Sequence, residues 1–186
     1  MKTKHRVLAA ALAAALVTMH ADGARAASAA EIEAGATAAL EHLYNTTPGA
    51  RALADKAKAI LVFPEIVKGG FIVAGQYGDG VLRKHGKTEG FYRSVAASYG
   101  YQAGIETFGY ALFFMDEESL RYLSESRGWE LGVGPNLVIL DQGMAKNIST
   151  TTLEKGVYAF IFNQEGLMAG LGIQGTKITP FTPNQY

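Results

Sequence analysis

Phe63-Pro64-Glu65-Ile66-Val67-Lys68-Gly69-Gly70-Phe71-Ile72-Val73-Ala74-Gly75-Gln76-Tyr77-Gly78-Asp79-Gly80-Val81-Leu82 decides how this chain folds. Glycines break its apolar, β-branched run at short intervals. Inside a strand, glycine marks a bulge, a sharp bend or a close approach of backbones, so the stretch predicts curved β-structure. The same texture returns in Ser98-Tyr99-Gly100-Tyr101-Gln102-Ala103-Gly104 and in Gly166-Leu167-Met168-Ala169-Gly170-Leu171-Gly172-Ile173-Gln174-Gly175.

Upstream, the pattern is helical. Ser28-Ala29-Ala30-Glu31 has the spacing of a capping box, and Ile32, Ala36, Leu40 and Leu43 then line one face of a helix ending near Tyr44. A second helix is expected from Thr47, with Pro48 at its first position, where the missing N–H costs nothing. It carries Leu53, Ala54 and Ala57 inward and Arg51, Lys56 and Lys58 outward, and it ends before Ile60.

Downstream, the expected strands are residues 71–77 and 81–84, joined by an Asp79-Gly80 hairpin turn, then residues 91–101 and 105–114 after a polar loop at 84–87. Asp116 caps a short helix with Glu117 and Glu118 in its positive first turn, Leu120 and Leu123 facing inward and Gly128 as a stop. Residues 129–140, 157–163 and 167–178 complete about seven or eight strands, with 180–186 as an extended tail. Strands separated by such short turns favour an α+β fold: an antiparallel, strongly bent, barrel-like sheet with two N-terminal helices and one short internal helix.

The glycine-rich stretches, in their order, resemble the SYLF domain, a family of lipid-binding and actin-associated proteins with secreted bacterial members. The resemblance covers roughly residues 51–186. It implies association with phospholipid membranes, through phosphoinositides in the eukaryotic relatives. Actin, the other partner there, is not an expected partner of an exported bacterial chain. The family commonly carries a basic residue where this chain has Gln76, and another where it has Glu165. The resemblance therefore implies contact with bulk phospholipid rather than recognition of one headgroup.

Lys2, Lys4 and Arg6, the apolar run at 7–17 and the small-residue site Ala24-Arg25-Ala26 have the order of a secretory signal. The run is shorter than the roughly 20 residues of a membrane span. Residues 1–26 are thus expected to be a signal peptide, leaving one domain over 27–186 in the periplasm or secreted medium, soluble and at most peripherally associated with membrane. Four of the 17 basic and one of the 17 acidic residues leave with the signal, so the remainder carries 13 minus 16, a net charge of −3. That balance argues against nucleic acid, whose binding takes a basic surface. With no cysteine, disulfides, thiolate metal sites, a cysteine nucleophile and a lipidated cysteine anchor are all excluded.

No catalytic pattern stands out, and neither an enzyme nor a cofactor is expected. Gly170-Leu171-Gly172-Ile173-Gln174-Gly175 matches G-x-G-x-x-G, yet only 11 residues follow, with Pro180 and Pro183 among them, where a nucleotide site needs a helix and a later acid. His42 and His85 are too few for a metal site. Adjacent Glu117 and Glu118 suit a helix N-terminus better than an acid and base pair. Most of the aromatic residues are expected in the core, although one face of the doubly aromatic strand at 108–114 could instead line an apolar pocket or cover a second layer.

The candidate lipid-binding site joins the cations Arg51, Lys56, Lys58 and Lys68 to apolar Ile66 and Val67 in a loop after Pro64. Cations there would meet anionic headgroups while apolar tips enter the interface. The expected function is non-enzymatic phospholipid binding that supports the cell envelope. The alternative is a scaffold binding an envelope protein.

Overall fold

A computed structural model describes residues 27–126, 128–140, 155–166 and 173–184, with the backbone alone at 99–103 and 166. The expected signal peptide, residues 167–172 of the strand expected at 167–178 and half of the G-x-G-x-x-G match lie outside the described residues, and of the described remainder of that strand only Lys177 and Ile178 are β-structure. The elements in order are helices α1 (Ala29–Thr46) and α2 (Pro48–Ala54), strands β1 (Ala59–Lys84) and β2 (Lys87–Phe114), helix α3 (Glu117–Glu125), and strands β3 (Trp129–Glu130), β4 (Leu137–Leu140), β5 (Val157–Gly166) and β6 (Lys177–Phe181).

Local signals act as their chemistry dictates. Ser28 and Glu31 form the capping box of α1, the Glu31 carboxylate accepting from the Ser28 backbone N–H at 2.7 Å. Pro48 opens α2. The Asp116 carboxylate accepts from the backbone N–H of Ser119 at 2.8 Å and also from that of Gly156, tying α3 to the start of β5. Burial alone would raise this carboxyl. The donors of Ser119 and Gly156 outweigh it and hold Asp116 below its ordinary 3.8. The linked stability is present above that value and is lost as pH falls through the lower folded pKa. In pH-dependent thermal melts, Asp116→Asn is expected to lose about 1 kcal/mol at pH 7, and the gap from the parent narrows below about pH 4.

The sheet is α+β in setting, strongly curled and barrel-like. β2 is its spine. β1 pairs with it from Ala59↔Phe114 to Lys84↔Lys87, while β6 takes residues 91–95 and β5 takes 106–114 along the opposite edge. β3 flanks β6, and β4 flanks β5. The last pair is parallel, correcting the purely antiparallel expectation. Residues 129–140 are not one strand, because Gly132 and Gly134 turn the chain at φ of 98° and 89° between β3 and β4.

β1 is unbroken through Asp79 and Gly80, so the expected hairpin turn is absent. Asp79 instead stands opposite Arg93, whose guanidinium donates to its two carboxylate oxygens at 2.8 and 3.1 Å. Gly80 serves a close approach: a Cβ there would lie 2.4 Å from the Val62 carbonyl oxygen and 2.6 Å from Phe63 Cδ1. The second half of β1 therefore lies against its first half. The long hairpin folds over on itself, bending between Phe71 and Val73, where the ladder shifts register and Ile72 takes a φ of 65°.

Two apolar layers result. Leu61, Phe63, Ile66, Phe108, Tyr110, Leu112, Phe114 and Trp129 fill the inside of the curl. Val62, Val81, Ala111, Phe113 and Phe160 point outward beneath Ile32, Ala36, Leu40, Leu43 and Leu53 of the helices. Period-two alternation thus sends neighbouring residues into different cores. Inside, the Tyr110 hydroxyl donates to Ser94 Oγ at 2.8 Å across the two halves of β2. Tyr110→Phe strands a buried Ser94 hydroxyl and is expected to cost about 1–2 kcal/mol in urea denaturation.

Candidate functional site

The helices cover only the half of the hairpin near its ends. Beyond them the alternation continues, but the environment of each face changes. On the outer face, Phe71 is 74% exposed, Ile105 70% and Val73 59%, with Val67, Ile72, Tyr77 and Val95 also exposed. On the inner face, Lys68, Gln76, Ser94, Glu106 and Thr176 are buried. Polarity here is inverted relative to an ordinary half-buried sheet: apolar side chains meet solvent and polar ones are enclosed.

The bend is the extreme end of this surface. Phe71, Ile72 and Val73 are consecutive there, and Ile105 stands opposite Gly69 on the neighbouring strand. Polarity rises away from this crest along both limbs of β1. Along one, Tyr77 donates its hydroxyl to Asp79 at 3.0 Å, and the Arg93 guanidinium lies 5.0 Å from the Tyr77 ring and 4.4 Å from that of Phe181. Partial desolvation, then the bond to Asp79, pushes the Tyr77 phenol above its ordinary value. Along the other limb, exposed Glu65 follows Val67, and exposed Glu165 pairs with Thr107, the β2 partner of Val67.

The six residues expected to form one site do not come together. Residues 66–68 belong to β1 rather than a loop, so Val67 faces out while Ile66, at 0% exposure, and Lys68, at 6%, face in. Neither can offer its side chain to a surface. Arg51, Lys56 and Lys58 are exposed, at the opposite end of the fold. With Arg83, His85 and Asp55 they line a concavity of about 450 Å³ that also touches Ala59, the first residue of β1. From Ile60 to Phe71, 11 residues at about 3.3 Å each put at most roughly 35 Å of strand between this concavity and the crest.

Sequence reasoning missed the crest because it expected most aromatic residues in the core and singled out neither Phe71 nor Tyr77 as exposed. The available signal was the alternation itself, carried through 67, 71, 73 and 77 on one face. Among the described residues no three histidine or acidic side chains gather as a metal site. No described helix is long and apolar enough to cross a membrane. The strand at 108–114 has both faces packed: Phe108, Tyr110, Leu112 and Phe114 on the inside, and Ala111 and Phe113 under the helices.

Compared with known proteins, the chain matches no family model, and no curated protein matches it.

Proposed function

We propose that this protein binds phospholipid membranes without catalysing a reaction, as a peripheral component of a bacterial envelope. One observation carries the reading: the distal hairpin places Phe71, Ile72, Val73 and Ile105 in solvent and Lys68, Gln76 and Glu106 inside. Apolar-out, polar-in alternation is how strands are arranged where they face lipid. The crest is too short to span. Tyr77 on one limb and Glu165 on the other limit entry to about 10 Å, the depth of an interfacial element. Tyrosine suits that level, with an apolar ring and a phenol turned to water. The signal-like N-terminus and the SYLF resemblance support export and lipid contact.

The alternative, a protein-binding scaffold, would use the same crest. Convexity favours lipid, because fluid acyl chains conform to a ridge whereas a folded partner needs a matching groove. Area favours it too: the exposed crest amounts to roughly a few hundred Å², against the roughly 800 Å² per partner of a standard protein interface. Co-sedimentation of the purified protein with phosphatidylcholine vesicles tests the proposal. Binding without anionic lipid is expected, and protein left in the supernatant at every lipid concentration overturns it.

A further inference from the structure

Resting on that reading, we propose that the basic concavity at the far end binds the anionic headgroups of a second membrane, so that the protein bridges two bilayers. Four cations, Arg51, Lys56, Lys58 and Arg83, surround it against the single carboxylate of Asp55. Two of them are held in place by the fold. The Arg83 guanidinium donates to the Glu33 carbonyl at 2.8 Å and to Thr37 Oγ1 at 2.7 Å, and the Arg51 guanidinium lies 4.9 Å from the Tyr44 ring. Lys56 and Lys58 are exposed between α2 and β1.

The full chain is neutral, with 17 basic and 17 acidic residues, and without the expected signal it carries a net charge of −3. Concentration of cations at this end is therefore local, and complementary to phosphate-bearing lipid, for which each cation near the surface adds attraction. The crest has the opposite character, apolar and flanked by Glu65 and Glu165. Both ends of β1 approach the concavity while its middle forms the crest, so the two surfaces lie at opposite ends of the folded hairpin. One flat bilayer cannot engage both. A protein seated by its crest presents its cations to whatever lies up to roughly 35 Å away.

Vesicle clustering, read by dynamic light scattering beside co-sedimentation, tests the bridge. With phosphatidylcholine vesicles the protein is expected to bind and leave particle size unchanged. With vesicles containing about one third phosphatidylglycerol it is expected to bind and cluster them. Raising salt to about 1 M, where the Debye length falls to about 3 Å, should disperse the clusters while protein stays bound. Lys56→Glu with Lys58→Glu should weaken the anionic contact about 30-fold and abolish clustering, with binding to phosphatidylcholine retained. Two results overturn the bridge: anionic vesicles that bind protein yet stay dispersed, or a double variant that clusters them like its parent. Failure to bind phosphatidylcholine at all would instead count against the crest. The lipid and salt comparisons use the unaltered protein, so they stand even if the variant folds poorly.

Discussion

Phe71→Asp combined with Ile105→Asp abolishes vesicle binding, lowering affinity at least about 100-fold, while the thermal melt stays close to that of the parent. Both side chains are more than two-thirds exposed, so their replacement removes little from either core and shifts stability by about 0.5 kcal/mol or less. In the membrane the same groups are buried. Withdrawing a phenylalanine and an isoleucine from an apolar medium costs about 1.5–3 kcal/mol each, and a carboxylate in their place is worse. Co-sedimentation and melting curves on the same preparation separate the two effects. Unchanged binding by the folded double variant would remove the crest as the point of contact.

Gly80→Ala should destabilise the protein by about 3 kcal/mol, the upper range for overpacking, in urea denaturation. The added Cβ meets the Val62 carbonyl oxygen at 2.4 Å, and a backbone carbonyl cannot rotate away as a side chain could. Relief requires separating the two halves of β1 and displacing the Phe63 ring, 2.6 Å from that Cβ, which disturbs its packing on Tyr110, 4.7 Å away between ring centroids. Gly75→Ala is the control on the same strand. Nothing lies within 4 Å of a Cβ there, so the reduced backbone freedom of alanine makes it neutral or stabilising by about 0.5 kcal/mol. Equal effects of the two substitutions would mean that β1 is not folded against itself.

Much of this architecture was legible wherever a signal is local. The Ser28 and Glu31 capping box, Pro48 at the start of α2 and Asp116 before α3 each depend on a few neighbouring residues, and each stands where it was expected. Curvature was legible in the glycine spacing as well. What was hidden depends on residues far apart in the chain. Asp79-Gly80 has the composition of a turn, but the partners that decide its role are Arg93 and Val62. The interruption of 129–140 rests on two glycines that could equally have marked bulges.

The candidate site divides in the same way. Arg51 could be read as exposed because helix periodicity separates it from Leu53, whereas Lys56 and Lys58 are exposed in the turn after Ala54 and not on the helical face expected of them. Ile66, Val67 and Lys68 read as one loop after Pro64, but β1 runs through that proline. Strand geometry sends consecutive residues to opposite faces, so just one of the three reaches the surface. The expectation that most aromatics fill the core leaves no way to single out Phe71 and Tyr77 as exposed. Where a sheet is apolar on both faces, composition cannot say which face is covered, and here the helices stop short of the bend.

A single nitroxide reports most directly on insertion of the crest, and the absence of cysteine makes a unique label straightforward. Val73→Cys, spin-labelled and bound to phosphatidylcholine vesicles, should show collisions with oxygen that rise and collisions with a water-soluble nickel chelate that fall, whereas a label at Lys58→Cys stays in water. A label at 73 that remains as open to the chelate with vesicles as without them would contradict membrane entry through the bend.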